Sequence, residues 1–479
     1  MLGGRAAPLR AIATQIPARL DRLPWSRFHL LVVVALGVTW ILDGLEVTIV
    51  GAVGAVLQDK ATLGLSAEEI GALASFYVTG AVLGALVFGW LTDRFGRRRM
   101  FYLTLAVYLC GVALSAVAWS FWSFALFRAL TGAGIGGEYA AVNSAIDELM
   151  PARLRGRIDL IVNGSYWLGA AAGAAATIVL LDPARFPVNV GWRLGFAIGA
   201  VLGLAILALR RYLPESPRWL VTHGYAEAAE AATREIERRA GASGAAPVPA
   251  GDALTIHPRR VFGFAVVARC MLGTYRSRSV LALVLMIAQA FLYNALFFTY
   301  GLILSKFYGV APDRTGLYLL PLAAGNFLGP LLLGSLFDTV GRRRMIAGTY
   351  LVSGALLALT GWAFDMAWLD ATTQTVAWSA IFFFASAAAS AAYLTASEIF
   401  PLETRALAIS CFYALGTAAG GIVAPWFFGR LIGVGARGPI FEGYAVAALL
   451  MAAAAVVEWR IGIDAEGRSL ESIAPPLAS

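Results

Sequence analysis

Long apolar runs separated by short polar turns dominate the chain, and the runs have one recurring length. A hydrocarbon core of roughly 30 Å takes about 20 apolar residues in helical form. The pattern predicts helices over Leu30–Val50, Ile70–Leu91, Met100–Trp119, Trp122–Ala145, Leu160–Leu181 and Gly191–Leu209. A second set follows over Val280–Leu304, Leu317–Leu336, Met345–Phe364, Val376–Ala396, Leu407–Phe428 and Gly438–Trp459. Inside lipid only helices and closed barrels satisfy their own backbone, and these runs are too long for barrel strands. The fold class is therefore an all-α membrane protein of twelve transmembrane helices in two six-helix halves. The segments are 1–29 ahead of the first span, 30–212 for the first half, 213–279 between the halves, 280–460 for the second half and 461–479 as a tail.

Composition agrees: 59% of the 479 residues are hydrophobic and 14% charged, with a mean hydropathy of +0.74. The net charge of +8 raises the question of nucleic acid, but the cations alternate with the spans. Arg94, Arg97, Arg98 and Arg99 follow span two, Arg153, Arg155 and Arg157 follow span four, and Arg342, Arg343 and Arg344 follow span eight. The opposite loops hold only scattered cations such as Lys60, Arg185, Lys306 and Arg314. By the positive-inside rule both termini are expected in the cytoplasm, and the basic charge is read as a topology signal. Cys110, Cys270 and Cys411 are too few and scattered for a disulfide framework or metal site, and His29, His223 and His257 fall near or in loops, where a solvated role is expected.

The chain repeats itself. Gly89, Asp93, Gly96 and Arg97–Arg99 recur with identical spacing as Gly334, Asp338, Gly341 and Arg342–Arg344, 245 residues later. Glu148, Pro151 and Arg155 recur as Glu398, Pro401 and Arg405, 250 residues later. Two motifs at nearly one offset imply a duplicated six-helix half, an arrangement that secondary transporters use, with a site between the halves near the midplane and access alternating by rocking. Between the halves, Tyr225–Ala240 reads as a surface amphipathic helix and Gly241–Ala250 as a flexible linker.

The Gly-x-x-x-Asp-x-x-Gly-Arg-Arg-Arg loops resemble the signature loop of the major facilitator superfamily. Pro214-Glu215-Ser216-Pro217-Arg218-Trp219-Leu220 after span six, Ser397-Glu398-Ile399-Phe400-Pro401 after span ten and Glu466-Gly467-Arg468 in the tail resemble its sugar-porter and metabolite-porter branches. The tail departs from their usual Pro-Glu-Thr-Lys-Gly pattern, reading Ile463-Asp464-Ala465-Glu466-Gly467. The resemblance implies a gating latch formed by Asp93, Arg97, Glu148, Arg155, Glu215, Arg218, Asp338, Arg342, Glu398 and Arg405. Plain anchoring of the basic loops at the membrane surface is the alternative for any single arginine.

Intramembrane charges carry the candidate chemistry, because an unpaired charge there costs several kcal/mol. Asp43 and Glu46 lie three apart on one face of span one, and Arg128 opens span four. The Asp-Gly-x-Glu pattern resembles the acidic pair of aromatic-acid/proton symporters and of synaptic-vesicle-glycoprotein-like transporters. That resemblance implies Glu46 as first choice for proton coupling, Asp43 as second, and Arg128 as partner. A structural ion pair, and for Arg128 interfacial anchoring, are the competing readings. Glu138 stands about 15 Å from Arg128 along the helix, and Gly136-Gly137-Glu138-Tyr139 resembles the Gly-Gly-Asp-Tyr of phosphate/proton symporters. Three acids then face one evident intramembrane arginine, pointing to proton binding, cation contact or both.

Asn163, Trp167, Gln289, Tyr293, Asn294, Asn326 and Tyr393 are the expected substrate-binding set, with Glu138 beside them, although amides and tyrosines also glue membrane helices together. No metal spacing, nucleotide loop or nucleophile triad accompanies them, so an enzyme is not expected. The expected function is secondary active transport of a small polar metabolite, an organic acid or sugar-like compound, by proton symport in a bacterial inner membrane. The working unit would be a monomer needing no cofactor beyond the proton and no nucleic acid. An uncoupled facilitator or exporter remains open, and a transporter-like sensor is the alternative from another class.

Overall fold

The computed structural model describes all residues except 1–10, 211–212, 243–252, 259–263, 298, 311–314 and 478–479, so Arg314 and residues 243–250 of the expected linker lie outside the described residues. The spans of the first half are Arg27–Leu57, Ala67–Phe95, Arg97–Ala116, Phe121–Leu149, a fifth divided into Arg155–Gly164 and Tyr166–Leu180, and Val188–Leu209. Those of the second half begin with Arg276–Phe297 continued by Tyr300–Tyr308, then Thr315–Thr339, Arg342–Asp365 and Ala371–Glu398. An eleventh runs from Arg405–Gly416 through a wide turn at Thr417–Ile422 to Val423–Val434, and Arg437–Ile461 is the twelfth.

Among the described residues ten helices are long and apolar enough to cross a membrane. Spans four and five complete the twelve. Span four is 29 residues long but carries Arg128, Glu138, Asp147 and Glu148, all buried. Span five bends at Ser165, whose hydroxyl donates to the carbonyls of Val162 (2.6 Å) and Gly37 (3.0 Å). Such local hydroxyl-to-carbonyl bonds bend helices.

The helices are apolar toward lipid, with Leu83, Val201 and Leu449 largely exposed, while Arg97, Arg128, Arg155, Arg210, Arg218, Arg342 and Arg405 are fully buried. Within the first half, glycines set the distance between spans two and four. A Cβ on Gly80, Gly84, Gly132 or Gly136 would strike the backbone of Ala129, Ala133, Tyr77 or Ala81 respectively. The run Gly132–Gly137 is thus a packing device, as small residues generally are between membrane helices.

The two repeats close against each other at the Arg-rich face. Asp93 accepts hydrogen bonds from the backbone amides of Ala406 (3.3 Å) and Leu407 (2.9 Å), at the start of span eleven. Asp338 accepts from those of Gly156 (3.1 Å) and Arg157 (2.8 Å), at the start of span five. Each signature aspartate therefore caps a helix of the opposite half, where the helix dipole favours an anion.

A small layer sits on this face. Helix Ala226–Arg239, matching the expected amphipathic segment, packs Ala229 and Ile236 with Ile16 and Leu20 of a short helix Ile16–Asp21, and Arg19 forks to Glu230 and Glu237 at 2.7 Å. Strands Ile12–Thr14 and Leu254–Ile256 pair antiparallel beside it, a feature the helical reading of the sequence did not anticipate.

Candidate functional site

The membrane-embedded charges assemble into two separate pairs. In the first, Arg128 forks onto both carboxylate oxygens of Glu46, the two groups being fully buried. The guanidinium lies over the ring of Tyr77, 4.7 Å from its centroid, so Arg128 points into the helix bundle and is not an interfacial anchor. Asp43, one helical turn from Glu46, is also buried, and its Oδ1 accepts no hydrogen bond among the described residues.

The second pair corrects the sequence reading. Glu138 does not face a shortage of cations: Arg210, at the end of span six, pairs with it. Arg210 also donates to Thr39 Oγ1 at 3.0 Å and to the Phe101 carbonyl, and sits over the Phe101 ring. Arg210 follows the last hydrophobic residue of its span, so in sequence it looks like one more membrane-end arginine; only the fold turns it inward. Glu138 does not line the central cavity either.

That cavity, about 260 Å³, opens between the halves. From the first half it takes Trp40, Tyr139, Asn163, Tyr166 and Trp167, and from the second Gln289, Tyr293, Asn294, Ser386, Ser390, Tyr393 and Thr417. Of the expected substrate set, six residues line it. Asn326 stands behind the wall and accepts a 2.6 Å hydrogen bond from the Tyr293 hydroxyl. Several polar groups are already engaged: Asn163 Nδ2 donates to Asn143 Oδ1 (3.1 Å), and Asn294 Nδ2 to the Ala290 carbonyl (2.6 Å). Their carbonyl oxygens, the Gln289 amide, the Tyr393 hydroxyl and the Ser386, Ser390 and Thr417 side chains are among the polar groups of the wall. No charged side chain lines the cavity among the described residues. Trp40, Ser386, Ser390 and Thr417 were not expected; each sits in an apolar run where one tryptophan or hydroxyl gives no periodic signal.

Below the cavity, toward the Arg-rich face, the latch residues come together. Arg97 binds Glu148 (2.8 Å) and lies 3.4 Å from Asp93, while Arg342 binds Glu398 (3.0 Å) and Asp338 (2.8 Å). Arg155 reaches Glu398 at 3.7 Å and Arg405 reaches Glu148 at 3.6 Å, so each half's arginine meets the other half's glutamate. Glu215 accepts from the backbone amides of Arg97 (2.9 Å) and Arg98 (3.2 Å), capping span three, and Glu466 does the same for span nine through Arg342 N (3.2 Å). Burial raises the Glu215 carboxyl above its ordinary range. Arg218 binds Glu471 of the tail and Asp21 (2.9 Å), and Asp21 in turn meets Arg155 (3.1 Å). The tail and the segment ahead of span one thus join an ion-pair network that the sequence reading confined to the loops.

Two histidines also depart from expectation. His29 and His223 are buried rather than solvated. His223 stacks on Trp219 with centroids 4.2 Å apart, and desolvation pushes its pKa down to about 4.

The profile of the family described as "Sugar (and other) transporter" matches residues 32–475. The niacin transporter NiaP of Acinetobacter baylyi is 26% identical over 458 residues, covering 95% of this chain and 99% of that protein. The putative metabolite transport protein YdjK of Escherichia coli is 27% identical, covering 95% and 96%. Myo-inositol transporter 2 of Schizosaccharomyces pombe is 26% identical over 437 residues, covering 86% and 76%. In structure the chain is similar to the proton:xylose symporter XylE bound to 6-bromo-6-deoxy-D-glucose, with a TM-score of 0.77 at 20% identity, over 93% of this chain and 98% of that one. This twelve-helix protein is a multi-pass membrane transporter of small molecules and not an enzyme, and it belongs to the sugar (and other) transporter family of the major facilitator superfamily.

Proposed function

We propose that the chain takes up a small polar metabolite, an organic acid or sugar-like compound, by proton symport, with Glu46 as the coupling acid. The observation that carries this reading is the buried Glu46–Arg128 fork with Asp43 one turn away. Removing one partner of a buried pair leaves an uncompensated charge, typically worth about 3–5 kcal/mol. A proton on Glu46 neutralises its side of the fork, and Asp43, on the same helix face, stands as the alternative partner for Arg128. The arginine is thereby offered two positions that depend on protonation, which is what couples proton binding to a movement of span one against span four.

The cavity supports a substrate held by aromatic faces and by amide and hydroxyl groups, with Asn163, Trp167, Gln289, Tyr293, Asn294 and Tyr393 as contacts and Asn326 orienting Tyr293. The Asp93, Asp338 and Arg–Glu contacts serve as the latch. In this reading the Arg-rich face is cytoplasmic, by the positive-inside rule, and so are both termini. The setting is a bacterial inner membrane, the working unit a monomer, and the only coupling partner a proton.

Uptake of labelled nicotinate, xylose, myo-inositol, phosphate and aromatic acids into proteoliposomes, with and without an inward proton gradient, tests the proposal. Accumulation of one compound that Glu46→Gln loses while retaining exchange supports it. Uptake indifferent both to the gradient and to Glu46→Gln would sink proton coupling and leave an uncoupled facilitator.

A further inference from the structure

The second buried ion pair has no part in that scheme. Arg210 ties four spans of the first half at one guanidinium: its own, span four through Glu138, span one through Thr39 and span three through the Phe101 carbonyl. Its two side-chain partners share a relation to the cavity. Thr39 precedes Trp40 and Glu138 precedes Tyr139, and both aromatic residues line the cavity. Consecutive helical residues point about 100° apart, so fixing Thr39 and Glu138 fixes the directions of Trp40 and Tyr139.

Those two rings meet edge to face, with centroids 4.2 Å apart. Tyr139 also reaches across to the other half. It stacks on Tyr413 at 4.7 Å with an interplanar angle of 22°, and lies 5.6 Å from Tyr393. Tyr139 stands ten residues from the end of span four, about 15 Å above the Arg-rich end at 1.5 Å per residue. Tyr393 and Tyr413 stand five and eight residues from the Arg-rich ends of spans ten and eleven. The rings thus lie across the Arg-rich end of the cavity, between it and the ionic latch.

We propose that Arg210 is a positioning residue: through Glu138 and Thr39 it holds Tyr139 and Trp40 as one jaw of an aromatic gate whose other jaw is Tyr413 with Tyr393. The jaws belong to different halves, so a solute leaves toward the Arg-rich face only when Tyr139 parts from Tyr413 and Tyr393. Glu138 in this role carries the counter-charge that fixes Arg210 and is not the coupling acid. The transport arm of the test rests on the proposed function; the labelling arm does not.

The labelling arm uses the full chain with Cys110, Cys270 and Cys411 replaced by serine and Ser390→Cys placed in the cavity wall. A charged, membrane-impermeant thiol reagent is applied from the Arg-rich face. Loss of one aromatic contact corresponds to about a 2- to 12-fold change in the open fraction, so Arg210→Gln, and the charge-neutral pair Glu138→Gln with Arg210→Gln, are expected to speed labelling by that factor. Tyr413→Leu is expected to do the same, and adding Arg210→Gln to it to add less than about 2-fold, since the jaw is already broken. Thr39→Val, which removes a single hydroxyl, covers the case in which the charge variants do not fold, and is expected to act in the same direction. In the transport arm these variants raise KM more than they lower kcat, for whichever panel compound the wild type carries.

Unchanged labelling in a folded charge-neutral double variant and in Thr39→Val would overturn the proposal. So would loss of gradient-driven accumulation in Glu138→Gln with labelling unchanged, which would make Glu138 a coupling acid. If the wild type carries none of the panel compounds, the substrate reading fails while the labelling rates still decide the gate.

Discussion

Removing the two signature aspartates is expected to open the Arg-rich face, because each caps a helix of the opposite half and loses that role as the halves part. Asp93 holds the amides of Ala406 and Leu407, and Asp338 those of Gly156 and Arg157. A capping carboxylate is worth about 0.5–2 kcal/mol, taken here as about 1 because an open state rehydrates the freed carboxylate and amides. At about 1.4 kcal/mol per factor of ten, Asp93→Ala or Asp338→Ala shifts the closed-to-open ratio about 5-fold, and both together about 30-fold. The two caps share no partner, so the effects add. Spin labels at the exposed positions Arg99 and Arg344, one in each half, report the separation of the Arg-rich ends by double electron–electron resonance. An increased long-distance population in each single variant, and a larger one in the double, is the expected result. If the double variant keeps the wild-type distribution, the caps do not hold the halves; if only one aspartate acts, the duplicated motif does not have a duplicated role.

Other outcomes follow from the same geometry. Gly136→Val puts side-chain atoms onto the Ala81 backbone, so thermal stability in detergent falls by about 3 kcal/mol or more and monodisperse yield drops, whereas Gly273→Val, which meets nothing nearby, leaves both unchanged. Glu215→Gln and Glu466→Gln weaken the caps of spans three and nine and each lower the unfolding midpoint by a similar amount, about 1 kcal/mol, as thermal melts of the two variants will read. His223 is held near pKa 4, below its unfolded value of about 6.5, so its contribution is fully present above pH 6.5 and is lost as pH falls toward 4. Melts of the solubilised protein across that range are expected to slope downward with acid, and His223→Gln to flatten part of the slope; an unchanged slope would refute the buried neutral histidine. Arg19→Ala frees the Ile16–Asp21 helix from Glu230 and Glu237, which limited proteolysis reads as faster cleavage ahead of span one.

Features that depend on one helix at a time could be read directly from the residues. Apolar length sets a span wherever it lies, so every span was legible, although an end could miss by as much as seven residues, as Val50 against Leu57 in span one. The repeated loops showed the duplication because the same Gly, Asp and Arg residues recur there at the same spacing. Asp43, Glu46 and Arg128 stood out because a charge in lipid needs a partner, whatever that partner is. Span five is the counterexample on its own scale: its division at Ser165 gave no signal in the apolar run, and the same hydroxyl also reaches the Gly37 carbonyl of span one.

Which groups meet was settled by the packing of the whole bundle. Arg210 looked like a membrane-end cation until the packing of span six against spans one, three and four turned it toward Glu138. The rings of Tyr139, Tyr393 and Tyr413 meet although they come from three helices with no shared period. Asp93 and Asp338 cap helices more than 180 residues away in the chain, and Glu471 finds Arg218 across 253 residues. The physical reason is the same each time. Helix formation, hydrophobic length and the cost of a buried charge are properties of a segment and its solvent, whereas the rotation of each helix about its axis is set by the packing of all its neighbours together, and that rotation chooses the partner.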